Sequence, residues 1–372
     1  MVFDKNQKEF PSAEHNAIWN LGIHVMPIEI TLPPEVKDSL PLYLVQSCEQ
    51  LRNFLLHLLR DMYDNIELYL PLPHQLSRKI LRPLIDFALL GEAEEECLKI
   101  NRFVFDKFTK KLKNSKDYDD DRKAGVSFEY RLNILERVGL KIEYIGDSVI
   151  FTNSLYPNMF YAMHEMAMVT SNEKSSMDNS FTYCDFRKLC KSYKYDKYEN
   201  ALIFLNDEQK NLARQLDIIA KKLKLTRSIK SGHCAGFEIR YNYKKANLLN
   251  LNCLCSHNEN NIILQINLLY DENNPAPMHD FFSAIESDSD ELKKFVYSRI
   301  RRCRVCYHKC PTYGGCPLQI YGKPNKVCFS GNCALKLKLL IIGSPIITFV
   351  PDDIPFIEKT LIYAKGLTDE IL

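Results

Sequence analysis

Three observations predict an α+β chain: apolar residues spaced three and four apart through the N-terminal half, a helix followed by an alternating hairpin at 128–152, and alternating segments with short connections at 237–269. Six cysteines between Cys303 and Cys333 add a metal loop to this outline. The expected order is an irregular arm at 1–33, a mostly helical domain at 34–170 ending in helix-hairpin-helix, a linker at 171–206, and an antiparallel-sheet domain at 207–372 with a Cys-rich insertion at 303–333. The chain has 372 residues, is 46% hydrophobic and carries a formal charge of +2. It can bury a core, so collagenous and disordered classes are excluded, but the whole-chain charge lends no support to nucleic-acid binding.

The arm holds Pro11, Pro27, Pro33 and the single tryptophan, Trp19, without a sustained helical period. From Pro34 onward Val36, Leu40, Leu44, Leu51, Leu55 and Leu58 form one apolar helical face, a long helix or a kinked pair with Pro41 near its start. Two further helices are expected at 74–90 and 93–112, separated by Gly91. The charged run at 113–123 is a solvated loop. Next, Phe128, Leu132, Leu135 and Val138 share a helix face that stops at Gly139, and two alternating segments turn at Gly146 and Asp147. A helix at 157–169 precedes the polar stretch 170–180, which marks the domain boundary.

In the second half, 207–223 has the pattern of a helix with Asn206 as its cap and basic residues in its last turn. Strands are expected at 237–243, 247–255 and 261–269, and a helix at 289–300 leads into the cysteines. A proline-bracketed strand at 346–350 and a helix at 354–364 follow. The longest apolar run, 337–350, is broken by Lys338, Gly343, Ser344 and Pro345 and falls short of the roughly 20 residues of a bilayer span. With no apolar stretch of signal-peptide length near residue 1, the expected location is the cytoplasm, with no membrane partner. Clustered thiols stay reduced there and more often hold metal than form disulfides.

Between Cys303, Cys306, Cys310, Cys316, Cys328 and Cys333 the gaps are two, three, five, eleven and four residues. A CxxC pair brings two thiolates to one cation, and a second pair across a hairpin completes a tetrahedral zinc site with bonds of about 2.3 Å. Short loops rich in Gly and Pro commonly need such a metal to fold. The preferred ligands are Cys303, Cys306, Cys316 and Cys328, with Cys310, Cys333 and His308 as further candidates. An iron–sulfur cluster is the alternative, because CxxCxxxCP approaches ferredoxin-type runs while departing from their spacing. Reduced cysteines without metal, or disulfides if the compartment is oxidising, are the third possibility. The other seven (Cys48, Cys97, Cys184, Cys190, Cys234, Cys253 and Cys255) sit in periodic, apolar surroundings as core residues.

Helix-then-hairpin at 128–152 has the outline of a winged helix, with Arg131 and Arg137 on the helix as candidate DNA contacts. Residues 99–141 hold twelve Lys/Arg against seven Asp/Glu. The stretch 293–309 holds seven basic residues, among them Arg301, Arg302 and Arg304, and no acidic one, beside the cysteines; such charge suits a phosphate backbone. Many α+β domains carry the same units without touching DNA, so core packing and solvated helix ends are the competing explanations. No catalytic residue stands out. His233 and Cys234 are mere sequence neighbours, His164 and Glu165 lack the second histidine of a zinc protease motif, and no P-loop or GxGxxG is present.

The segments RLNILERVGLKIEYIGDSVIFTNSLYPNMFYAMHEMA, YCDFRKL and GFEIRYNYKKANLLNLN, with CRVCYHKC and GGCPLQIYGKPNKVC, resemble a family of proteins from clostridia-type Gram-positive bacteria. The resemblance spans roughly 125–365 and implies a small α+β fold similar to the double-wing domains of YjbR-like proteins, with a cysteine-rich insertion. It brings no activity with it, and cysteine number and spacing vary among such proteins. The resulting expectation is a binding or regulatory module tied by structural zinc, with a nucleic acid or a protein as partner. The alternatives are a winged-helix DNA-binding transcriptional regulator and an iron–sulfur redox protein.

Overall fold

The computed structural model describes residues 3–4, 7, 9–25, 32–69, 82–114, 128–171, 181–194, 196–203, 205–231, 236–254, 261–268, 276–299, 316–320, 323–327, 335–338 and 351–372. The chain is α+β and divides into two units, one within 1–193 and the other within 194–372.

The first unit begins with α1 (Ala13–Val25), where the proline-bearing arm had been expected to be irregular. All three of those prolines lie outside α1, and Ser12 takes the His15 amide at 3.3 Å as an N-terminal cap. Ile18 and Val25 are buried, and Gly22 is needed because a Cβ there would meet the Phe3 ring at 2.2 Å. The short α2 (Pro34–Ser39) and the long α3 (Leu42–Asp64) form the kinked pair, with Pro41 in an extended conformation just before α3. One stripe of α3, including Leu51, Phe54, Leu55, Leu58 and Met62, is buried. Each such side chain contributes about 1.5–3 kcal/mol. A single turn, α4 (Ile66–Tyr69), follows.

After α5 (Arg82–Leu90), the single helix expected at 93–112 is instead strand β1 (Glu92–Ala93), strand β2 (Cys97–Asn101) and helix α6 (Arg102–Lys113). In β2 Leu98 and Ile100 are buried while Lys99 is exposed, a period of two hidden inside a helix-like composition. The Asn101 side chain accepts the Phe103 and Val104 amides and so starts α6 nine residues later than expected. Helix α7 (Phe128–Arg137) ends at Gly139, whose φ of +88° suits glycine, and the Asn153 amide caps it by donating to the Val138 carbonyl at 3.1 Å. Strands β3 (Leu140–Ile145) and β4 (Ser148–Asn153) form the expected hairpin, and α8 (Met159–Thr170) packs against α3 and α5. The sheet order is β1-β2-β4-β3, entirely antiparallel.

The second unit holds α9 (Tyr198–Ala201) and α10 (Asp207–Lys222), the latter started by a reciprocal Asn206 and Gln209 capping box. Residues 171–206 are therefore not bare linker: a 3-10 turn (Phe186–Leu189) lies in the first unit and α9 in the second. The unit's main sheet contains β5 (Thr226–Ser231), β6 (Phe237–Tyr243), β7 (Ala246–Leu254) and β8 (Asn261–Leu268). Helices α11 (Ala276–Glu286) and α12 (Asp290–Arg299) come next, then the hairpin β9 (Cys316–Ile320) with β10 (Lys323–Val327). Strand β11 (Leu335–Lys338) completes the sheet in the order β11-β8-β7-β6-β5, and α13 (Ile354–Ile371) packs on β7 and β8. The segment 346–350 lies outside the described residues. One sheet face buries Ile239, Tyr241, Leu249, Leu251, Leu264 and Ile266. Asp217 of α10 reaches that face, taking Arg227 at 2.7 Å and the Tyr241 hydroxyl at 3.1 Å.

Candidate nucleic-acid interface

Helix α5, strands β1 and β2, helices α6 and α7, then strands β3 and β4 come in this order along the chain, and β4 lies between β2 and β3. Setting aside β1 and residues 115–127, which lie outside the described residues, this is the order of helices and strands in a winged helix. Phe87 of α5, Phe105 of α6 and Phe151 of β4 hold its layers together, with ring centroids 5.2 Å, 5.1 Å and 5.9 Å apart. Ile134 and Leu135 of α7, and Val138 just after it, are buried.

The wing is joined to α6 at its tip. The Arg102 amide donates to the Asp147 carbonyl at 2.8 Å, and the Arg102 guanidinium lies 5.5 Å from the Tyr144 ring centroid. Around this contact Phe103, Tyr144 and Ile145 stand 75%, 54% and 57% exposed, an aromatic and apolar rim. Farther along α6, Lys107, Lys110, Lys111 and Lys113 are exposed. The helix carries five basic residues against one acid, Asp106, which faces Arg102 at 4.0 Å.

Of the two arginines expected to contact DNA, Arg131 lies on α7 with its side chain outside the described residues. Arg137 is engaged within the protein: Nε and Nη2 donate to the two oxygens of Asp61 at 2.9 and 2.8 Å. The Tyr69 hydroxyl donates to the same carboxylate. Burial pushes the Asp61 pKa up, but the hydrogen bonds from Arg137 and Tyr69 outweigh it and hold the carboxyl below its usual value. Burial and the Asp61 charge push the Tyr69 phenol up, so it stays a neutral donor. Tyr130 of α7 donates to the Leu68 carbonyl, which fixes the same side of the helix.

Cys303, Cys306, Cys310, Cys328 and Cys333, with His308, Arg301, Arg302 and Arg304, lie outside the described residues. Cys316 opens β9, where its backbone pairs with Val327. Among the described residues no three His, Cys, Asp or Glu side chains form a group able to hold a metal. Cys48, Cys184, Cys190 and Cys253 are buried free thiols and Cys97 is partly exposed; Cys234 and Cys255 lie outside the described residues. His164 places Nδ1 2.8 Å from the Ala88 carbonyl, joining α8 to α5. No described helix is long and apolar enough to cross a membrane.

The strand β2 and the basic face of α6 were missing from the sequence-based outline. The available signal was Asn101, a cap residue followed by an amphipathic basic helix. No family model, curated protein or solved structure matches the chain.

Proposed function

We propose that the chain is a DNA-binding regulator of the winged-helix type, working in a reducing, cytoplasmic setting. The observation that carries this reading is the placement of β4 between β2 and β3, which completes the winged-helix connectivity around a helix with five basic residues. Fold connectivity alone does not make a function, and the exposed lysines of α6 supply the electrostatic element. The test is titration of the full chain with duplex DNA across a salt series. Binding that weakens as salt rises supports the reading; absence of binding at low salt, or affinity indifferent to salt, refutes it.

A second reading concerns the cysteine loop, which we propose is tied by structural zinc. Its support is the β9–β10 pairing: Cys316 stands opposite Val327, the residue before Cys328, so the ends of a hairpin bring the two positions into sequence register. Thiolates suit zinc, and the ion would serve to hold a loop that has little core of its own. Metal analysis after anaerobic purification should find about one zinc per chain and no visible absorbance. Brown colour would favour the iron–sulfur alternative, and metal-free protein with all six thiols titratable would refute both.

A further inference from the structure

We infer that the outer face of α6 takes DNA with unpaired bases, one base stacking on Phe103 while neighbouring phosphates lie on Lys107 and Lys110. The inference rests on the DNA-binding reading above and names the form of DNA that this surface prefers. At 3.6 residues per turn, Phe103, Lys107 and Lys110 fall within about 60° of one another around α6, and all three are exposed. Phe105 and Thr109, on the opposite side of the helix, are buried. The three residues therefore form one outward line, with the lysines roughly 6 Å and roughly 10 Å along the axis from Phe103. Asp106, the acid of α6, lies to one side of this line and faces Arg102 at 4.0 Å.

A phenyl ring that is 75% exposed on the outermost side of an amphipathic helix contributes little to the core. Its backbone is nevertheless fixed: the Phe103 amide donates to Asn101 Oδ1 at 3.0 Å, and the preceding Arg102 amide donates to the Asp147 carbonyl at 2.8 Å. A platform held in place loses little freedom on binding. Beside it the half-exposed ring of Tyr144 carries the Arg102 guanidinium 5.5 Å from its centroid. In a duplex the faces of the bases are covered by their stacked neighbours, and the outer surface offers sugar and phosphate. An unpaired base presents its π-face, and aromatic rings set among exposed cations are the combination that holds single strands. Lysines alone would serve any phosphate backbone; the ring in line with them is what selects an unpaired base.

Fluorescence anisotropy on the full chain, with a blunt duplex and the same duplex carrying a single-stranded thymine extension, tests the inference. The extended DNA should bind about tenfold more tightly, the effect of one stacked base. Phe103→Ala should abolish that preference while leaving affinity for the blunt duplex within about twofold, and Phe103→Tyr should retain it. Lys107→Gln and Lys110→Gln should weaken both DNAs and reduce the salt dependence of each. In Phe103→Trp the extension should quench the added tryptophan emission above the Trp19 background, and the blunt duplex should not. Equal affinity for the two DNAs, or a preference that survives Phe103→Ala, overturns the inference while leaving DNA binding intact. Failure of the unaltered chain to bind either DNA removes the DNA-binding reading itself, and this inference with it.

Discussion

Arg137 closes a two-point hydrogen-bonded pair with Asp61, 76 residues earlier in the chain, and so fastens the end of α7 to the last turn of α3. The Asp61 side chain is 15% exposed and that of Arg137 40%, so water screens part of the attraction. Asp61→Asn should cost about 1 kcal/mol at neutral pH. Because the folded pKa of Asp61 is depressed, its stabilisation is complete above the unfolded value of about 3.9 and is lost as pH falls through the folded value. Urea midpoints of the two proteins should therefore differ at pH 7 and converge in acid; a gap that persists in acid contradicts the assignment.

Asn101 carries the start of α6 through two accepted amide hydrogen bonds. Asn101→Ala should lower stability by about 1 kcal/mol, whereas Asn101→Asp, which keeps the acceptor, should cost much less. Thermal denaturation of both variants distinguishes a lost cap from a general intolerance at this position, which would make them equally unstable.

In the second unit, hydrogen bonds from Lys359, from the Ser289 amide and from Tyr363 hold the Asp288 pKa at about 2. A folded value below the unfolded one stabilises the protein above about pH 4, and that contribution disappears as pH falls through about 2. Carboxyl chemical shifts should show Asp288 still ionised at pH 3. Lys359→Gln should move its titration upward; an unchanged midpoint would mean that Lys359 is not its main partner.

The buried thiols should differ in reactivity. Burial pushes Cys184 and Cys253 up to about 12. Cys190 is also raised by burial, yet the contacts from Ser192 and Ser39 outweigh that and lower it below the ordinary thiol value. Since the thiolate is the reacting species, alkylation of the native protein at mildly alkaline pH should label Cys190 before Cys184 and Cys253. Ser39→Ala should slow it. Peptide mapping that finds the three labelled together would show that local opening, not ionisation, sets the rates.

Much of the second unit was legible because its residues repeat simple patterns. The alternation in 237–243, 247–255 and 261–269 gave β6, β7 and β8 within one residue at each end, and Asn206 marked the start of α10. The hairpin β3–β4 was legible for the same reason, with Gly146 at φ +56° in its turn. Strand β2 was not, because its five residues join acidic Glu94 to Glu96 on one side to a true helix on the other, and only the buried pair Leu98 and Ile100 reveals the period of two. Without β2 the winged-helix order could be glimpsed only as a helix and a hairpin. For the site, sequence gave the two arginines of α7 but not that Arg137 is spent on Asp61, a long-range pairing with no local signature.

Asn101 is also the last residue of β2, paired with Ser148 of β4, while its side chain caps α6. Strand and helix thus share one residue as end and beginning, and neither can fray there without loosening the other. The Ile100 amide in the sheet and the Phe103 and Val104 amides at the helix start should therefore exchange with solvent through a common opening event, making the wing and its basic neighbour a single cooperative unit.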